Sequence, residues 1–222
     1  MKSAAIEVHD RSASIYDNMS ALVENHGHEM LFGLAYEYLS PGDTVLDIGI
    51  GTGLSSYMFH KAGLKVYGVD GSEKMLDMCR EKGFAAELKL CDLATESWPY
   101  EDGRFENTIA CGIFHFFKEL DVFFKETSRI MKKDGTFSFT VMVSEEDVLQ
   151  YTDTGSGVLI YYHDDFQIIE LLNKYNFSML KLVTFFIYKT PDKKEKSVFR
   201  GYLTKKFDYS SNYKPYIKVK DQ

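Results

Sequence analysis

The stretch VLDIGIGTGLSSYMF, Val45 to Phe59, reads as a buried strand, a glycine-rich turn and the first turns of a helix. Such a turn usually cradles a nucleotide, because backbone N–H groups point at the ligand. Its glycines alternate at Gly49, Gly51 and Gly53, whereas the dinucleotide fingerprint needs its third glycine at position 54, which is Leu. Asp47 stands two residues before the first glycine, at the strand end. A carboxylate there repels a pyrophosphate but accepts a hydrogen bond from an ammonium group or through water. The turn therefore suits a ligand with a cationic amino-acid end and no phosphate.

Working outward, the next strand ends at Asp70, 21 residues after Gly49. A carboxylate at that tip can accept both hydroxyls of a ribose. A third strand ends in Cys91-Asp92-Leu93, where Asp92 can accept from an exocyclic adenine amine and Leu93 can offer its backbone N–H. Three carboxylates thus mark the carboxyl ends of three successive strands, the edge at which open α/β sheets bind ligands.

Strand and helix patterns alternate around these motifs. Strands are expected at 44–48, 65–69, 85–91, 105–111 and 136–143, with helices at 54–62, 73–81 and 120–131. Helices are also expected over 3–18 and 20–39, with Gly27 bending or splitting the second. Residues 144–159 read as an inserted loop, Asp164 or Asp165 as the cap of a helix through Tyr175, and 177–189 with 197–206 as a terminal hairpin. Strands separated by helices imply a mostly parallel sheet with helices on both faces.

VLDIGIGTG, VYGVDGSEKML, LCDL, ACGIFHFF and MKKDGTF, in this order and spacing, resemble the class I S-adenosylmethionine-dependent methyltransferases of the small-molecule type. The resemblance covers roughly 43–143 and, more loosely, the whole chain. It implies an α/β fold: a three-layer Rossmann-like sandwich with a seven-stranded, mostly parallel sheet and an antiparallel last strand. It implies S-adenosyl-L-methionine as cofactor and S-adenosyl-L-homocysteine as product. Asp47 and the turn Gly49, Ile50, Gly51 and Gly53 would hold the methionine end. Asp70 would bind the ribose, Gly71 and Met75 would flank the adenosine, and Asp92 and Leu93 would hold the adenine. Cys111 and Gly112, at the end of the fourth strand, would complete the cofactor site, and Tyr16 would close over it. Ile50 stands where many members have cysteine, and Asp134 replaces a proline in the turn after the last helix of the core.

A sulfonium loses its methyl group readily, so in-line orientation and exclusion of water carry most of the effect. A base is needed only for an acceptor that is protonated at neutral pH. His115 is the candidate, with a side chain suited to general-base work; the alternative is that it caps the turn or packs beside Phe116. Phe114, Phe116 and Phe117 suit an apolar or aromatic acceptor or belong to the core. Cys-Gly-Ile-Phe in this segment differs from the Asn/Asp-Pro-Pro-aromatic motif of amino-group enzymes in the family and argues against adenine or glutamine amide methylation.

The 222 residues are expected to form one methyltransferase domain: a helical lid at 1–40, a cofactor core at 43–143, a loop, helix and hairpin at 144–206, and a tail at 207–222. Net charge is −7, but residues 189–222 carry +6, leaving an acidic body that argues against broad nucleic-acid binding. The tail mixes bases with aromatics. It reads either as a stacking surface for single-stranded RNA or, the favoured reading, as a lysine-guarded edge strand with a flexible end. His26 and His28 are two apart and diverge on a helix, so no metal is expected. Cys79, Cys91 and Cys111 show no metal or disulfide spacing and are expected inside helices or strands. No run long enough for a membrane span and no secretory apolar core is present, so the cytoplasm is expected. The expected partner is a small-molecule methyl acceptor, with nucleic acid disfavoured and the chain a monomer or homodimer. The alternatives are an RNA or protein methyltransferase docking through the tail, or a non-catalytic cofactor-binding module.

Overall fold

A computed structural model describes residues 3–94, 97–144, 151–153 and 157–207. The expected insertion at 144–159 lies largely outside this range, as does the tail from residue 208.

The N-terminal segment is shorter-stepped than its periodicity implies. It forms α1 (Ala4–Ser12), a 3-10 turn (Ala13–Ile15), α2 (Tyr16–Leu22), α3 (Gly27–Ala35) and a second 3-10 turn (Tyr36–Tyr38). The first break follows Ser12, whose hydroxyl donates to the Val8 carbonyl at 3.0 Å and competes with the helix ladder. At the second break Glu24 takes φ +50 and the Asn25 side chain accepts the Gly27 N–H at 3.1 Å. The expected helices at 3–18 and 20–39 are thus each divided.

Beyond residue 40 the order is β1 (Thr44–Ile48), α4 (Ser56–Lys61), β2 (Lys65–Asp70), α5 (Glu73–Lys82), β3 (Glu87–Leu90), β4 (Phe105–Ala110), α6 (Asp121–Ile130) and β5 (Met131–Val143). Then follow β6 (Tyr151–Asp153), β7 (Leu159–Tyr161), α7 (Asp165–Lys174), β8 (Phe177–Tyr188) and β9 (Lys196–Lys206). Local chemistry fixes the ends. Ser72 caps α5 by accepting the Met75 N–H at 3.2 Å, and Gly83 closes it in the left-handed region. Asp164 and Gln167 form a reciprocal capping box on α7. Cys79 lies within α5, while Cys91 and Cys111 sit one residue past β3 and β4 rather than inside strands.

The seven-stranded sheet has the order β3-β2-β1-β4-β5-β9-β8. β1 through β5 pair in parallel, and β9 runs antiparallel to both β5 and β8. This is the Rossmann-like α/β arrangement with an antiparallel last strand. One expectation is corrected here: β9 is not an edge strand but an inner one, with β8 at the edge. The lysines of its end are spent inside the molecule, Lys206 donating to the carbonyls of Ser128 and, at 2.8 Å, Met131 at the close of α6. Alternate residues of each strand feed two cores. Leu46, Ile48, Phe137 and Phe139 face one cluster with Phe114, Phe123 and Phe124, and Val45, Val66 and Leu203 face another with Leu31 and Phe59. Among the described residues no helix is long and apolar enough to cross a membrane.

Candidate active site

The glycine turn leaves β1 under tight steric control. Gly49 and Ile50 donate their N–H groups to the Val69 carbonyl at 2.8 and 3.1 Å. Gly49 has φ +74, and a Cβ there would lie 2.0 Å from Ile113 Cδ1, so a larger residue is excluded on both counts. Gly51, at φ +54, has open space where its Cβ would be, and donates its N–H to Asp70 Oδ2 at 2.8 Å. The other oxygen of Asp70 accepts the Ser72 N–H at 2.8 Å. Burial raises the Asp70 carboxyl above its ordinary value, opposed by these backbone donors.

A two-lobed cavity opens at this end of the sheet. The smaller lobe, about 160 Å³, is lined by Asp70, Gly71, Met75, Asp92, Leu93 and, from α1, Ile6, among others. The larger lobe, about 280 Å³, runs toward β5, β8 and β9 and includes Ile50, Thr140, Met142, His115 and Phe199. The lobes share Tyr16, Gly49, Gly51, Cys111, Gly112 and Phe116, with His9. Tyr16, from α2, is thus placed at the junction, and burial beside Cys111 and the Asp70 carboxylate pushes its phenol up to about 12. Burial likewise raises the Cys111 thiol to about 11, keeping it protonated.

Three expected site residues lie elsewhere. Asp47 lines neither lobe. Strand alternation turns it to the same sheet face as Val45, under α4 and toward Ser56. There it is 1% exposed, its Oδ2 has no hydrogen-bond partner, and burial pushes its carboxyl up to about 7. Gly53 also lies behind the turn, where a Cβ would meet Phe84 and Cys79. Phe114, expected either near the acceptor or in the core, is fully buried in the core against Phe123, Phe124 and Phe139.

His115 does reach the larger lobe. It sits in a 3-10 turn, Phe114–Phe116, 9% exposed, with Nδ1 lacking a partner and its ring 4.1 Å from that of Phe116. Burial, with His9 and His163 nearby, holds its basicity down to about 3. The ring is neutral at pH 7 but a weak base, which moves its expected role from proton abstraction toward orientation. Phe117 lines the smaller lobe while packing on Phe123. His26 pairs with Glu29 on the surface, and His28 lines the larger lobe. Among the described residues no group of three or more His, Cys, Asp and Glu is placed to hold a metal ion.

Several lining residues carry no sequence signal. His9, on α1, borders both lobes and donates from Nδ1 to the Ala5 carbonyl at 2.7 Å. Phe185 and Phe199 come from strands far along the chain. The N-terminal helices are fastened to the cofactor loops by two bonds: Ser72 Oγ to Asp10 at 2.6 Å, and Thr52 Oγ1 to Asp17 at 2.5 Å, with Lys82 closing on Asp17 at 2.6 Å.

The donor set fits S-adenosylmethionine. Among the described residues neither lobe is lined by a lysine or arginine, so a phosphate finds no counter-charge. Asp70 and Asp92 face the smaller lobe, and the orphaned Asp47 oxygen lies under the shared turn, an arrangement that favours a cation. Residues 46–139 match the model of the family described as "Methyltransferase domain". Over this stretch the chain is similar to the methyltransferase domain family.

Relatives that are similar over this region are named for different acceptors. The chain is similar to sarcosine/dimethylglycine N-methyltransferase of Halorhodospira halochloris, 32% identical over 54% of this chain and 43% of that protein. It is also similar to malonyl-[acyl-carrier protein] O-methyltransferase of Serratia marcescens, 28% identical over 64% of this chain and 54% of that one. The chain thus spans about half the length of these curated relatives. Among solved structures, Burkholderia thailandensis 1,6-didemethyltoxoflavin-N1-methyltransferase, with 1,6-didemethyltoxoflavin and S-adenosylhomocysteine bound, has a similar fold. Its TM-score is 0.68 at 17% identity, over 92% of this chain and 89% of that one.

Proposed function

We propose that this chain is an S-adenosylmethionine-dependent methyltransferase that moves a methyl group to an oxygen or nitrogen of a small-molecule acceptor. The observation that carries the reading is the two-lobed cavity, which has carboxylates and, among the described residues, no lysine or arginine at one end and a separate aromatic chamber at the other. S-adenosylmethionine, when bound, supplies an electrophilic methyl group on a sulfonium.

Asp70 is proposed to accept the ribose hydroxyls with the lone pairs that Gly51 and Ser72 leave open. Gly71 and Met75 flank the adenosine, and Asp92 and Leu93 hold the adenine edge. The turn from Gly49 through Gly53 seats the methionine end, with the Asp47 carboxyl beneath it, whose charged form a bound cation favours. The helices of residues 1–40 act as the lid: Ile6 packs over Gly71, Tyr16 closes the junction, and water is kept from the reacting atoms. His115 and Phe116 border the acceptor and hold it for in-line attack, His115 through a hydrogen bond from a neutral ring. Orientation of this kind supplies most of what the transfer needs. Similarity to one N-methyltransferase and one O-methyltransferase agrees with an O or N acceptor.

The test is to incubate the purified protein with S-adenosylmethionine and a panel of metabolites and to follow S-adenosylhomocysteine. Formation that depends on one added acceptor supports the reading. S-adenosylmethionine that binds but is never consumed leaves only a cofactor-binding module.

A further inference from the structure

The larger lobe carries information about its acceptor. Its wall is aromatic and ordered. Phe185 and Phe199 stack at 5.7 Å with 17° between their planes. His115 stands edge-on to Phe199 at 6.0 Å and 79°, with Phe116 beside it. Met142 and Ile187 add apolar surface. Among the described residues no Asp, Glu, Lys or Arg lines the lobe.

We propose that the acceptor is a small, uncharged, planar molecule, an aromatic or heteroaromatic ring bearing a hydroxyl or N–H group, rather than a carboxylic acid or an aliphatic amine. This rests on the methyltransferase reading of the same cavity. A carboxylate entering the lobe would give up water for hydroxyl and amide groups such as Thr140 and Asn25 but meet no Lys or Arg counter-charge, a penalty that a neutral ring escapes. The N-terminus of α3 opens on the lobe, but its first N–H is already taken by Asn25 Oδ1 at 3.1 Å. Of the three histidines on the lobe, burial lowers His28 and His115 toward the neutral form, and His9 already spends its Nδ1 on the Ala5 carbonyl. A neutral imidazole pairs with a hydroxyl or N–H, which donates and accepts. A flat ring is the shape that stacked and edge-on aromatic walls pack best. The lobe measures about 280 Å³ and also receives the methionine end, so the ring system is small. The acids named for the curated relatives do not match this chamber.

The experiment measures initial rates of S-adenosylhomocysteine formation with three sets of acceptors matched in size: phenols and N-heterocycles, their carboxylated counterparts, and aliphatic amines. Binding of S-adenosylmethionine is measured by calorimetry on the same preparation. The expected result is a kcat/KM for neutral rings at least about tenfold above that for either other set. In Phe185→Lys, at the rim of the chamber, the carboxylated rings should gain on the neutral ones. Equal or faster turnover of acids or amines overturns the inference. Cofactor binding without turnover of any ring overturns it too and leaves the cofactor assignment standing. Absence of cofactor binding overturns both.

Discussion

The carboxylate of Asp70, at the tip of β2, accepts the backbone N–H of Gly51 at 2.8 Å and so holds the glycine turn of β1 in place. A residue assigned to the ribose is therefore also a structural part of the turn that seats the rest of the cofactor. Asp70→Ala orphans both Gly51 and Ser72 donors. Each unsatisfied donor costs about 1–3 kcal/mol. Denaturant unfolding should show a stability loss of about 2–3 kcal/mol, and calorimetry a loss of S-adenosylmethionine affinity of at least about tenfold. Asp70→Asn, which keeps one acceptor oxygen, should fall between. A variant that binds as well as the parent would remove Asp70 from the site.

The lid is expected to act through the bond between Thr52 and Asp17. Thr52→Val removes a donor to a carboxylate inside a buried contact. A loss of about 1 kcal/mol, or about fivefold in cofactor affinity, is expected by calorimetry. Lys82→Ala touches the same carboxylate from a more exposed position and should cost less, within the range of about 0–1 kcal/mol of surface ion pairs. Equal effects of the two would mean that the lid does not depend on the buried bond.

Asp47 should make binding depend on pH. Its carboxyl is raised by burial from 3.8 to about 7 in the folded chain. The folded state thus prefers the protonated form. The stability this brings is complete below the unfolded value and is lost as pH rises through about 7. A cation bound above the turn favours the carboxylate instead. Cofactor affinity should therefore increase between pH 6 and pH 8, and calorimetry in buffers of different ionisation enthalpy should show proton release at pH 6. Asp47→Asn should flatten most of this dependence.

A buried pair away from the cavity provides a contrast. Glu126, 2% exposed, accepts the Trp98 N–H at 2.8 Å and the Arg129 guanidinium, which also donates to the carbonyls of Tyr100 and Trp98. Arg129→Met leaves that carboxylate uncompensated and should cost about 3 kcal/mol in unfolding experiments. Cofactor affinity of the folded variant should be unchanged, and a parallel loss of affinity would place this network in the site.

The sheet core was legible because its signals are local. Val45-Leu-Asp-Ile forms a strand over the expected residues, and Ser72 and Asp164 cap helices where their side chains announce a start. The positions of Asp70 and Asp92 on one cavity follow from strand order, and Tyr16, which only the resemblance pointed to, lines the same cavity. What failed depends on orientation and on distant partners. Asp47 follows the two-residue alternation of β1 and so faces α4 rather than the cavity, a fact that the motif alone obscures. Phe114 and Phe116 are two apart in one motif, yet a 3-10 turn sends one into the core and the other to both lobes. His9 joins the site only because α1 folds back over Gly71, and nothing in its own neighbourhood records that contact. The inner place of β9 is set by its pairing with β5, a contact between segments about sixty residues apart.

The central claim, that the cavity holds S-adenosylmethionine, is tested most directly by titrating S-adenosylmethionine into the purified protein in a calorimeter. The expected result is binding at one site per chain, with a dissociation constant within the usual enzyme–substrate range of about 1 μM to 1 mM. No heat of binding at about millimolar cofactor, from a protein shown to be folded, would contradict it.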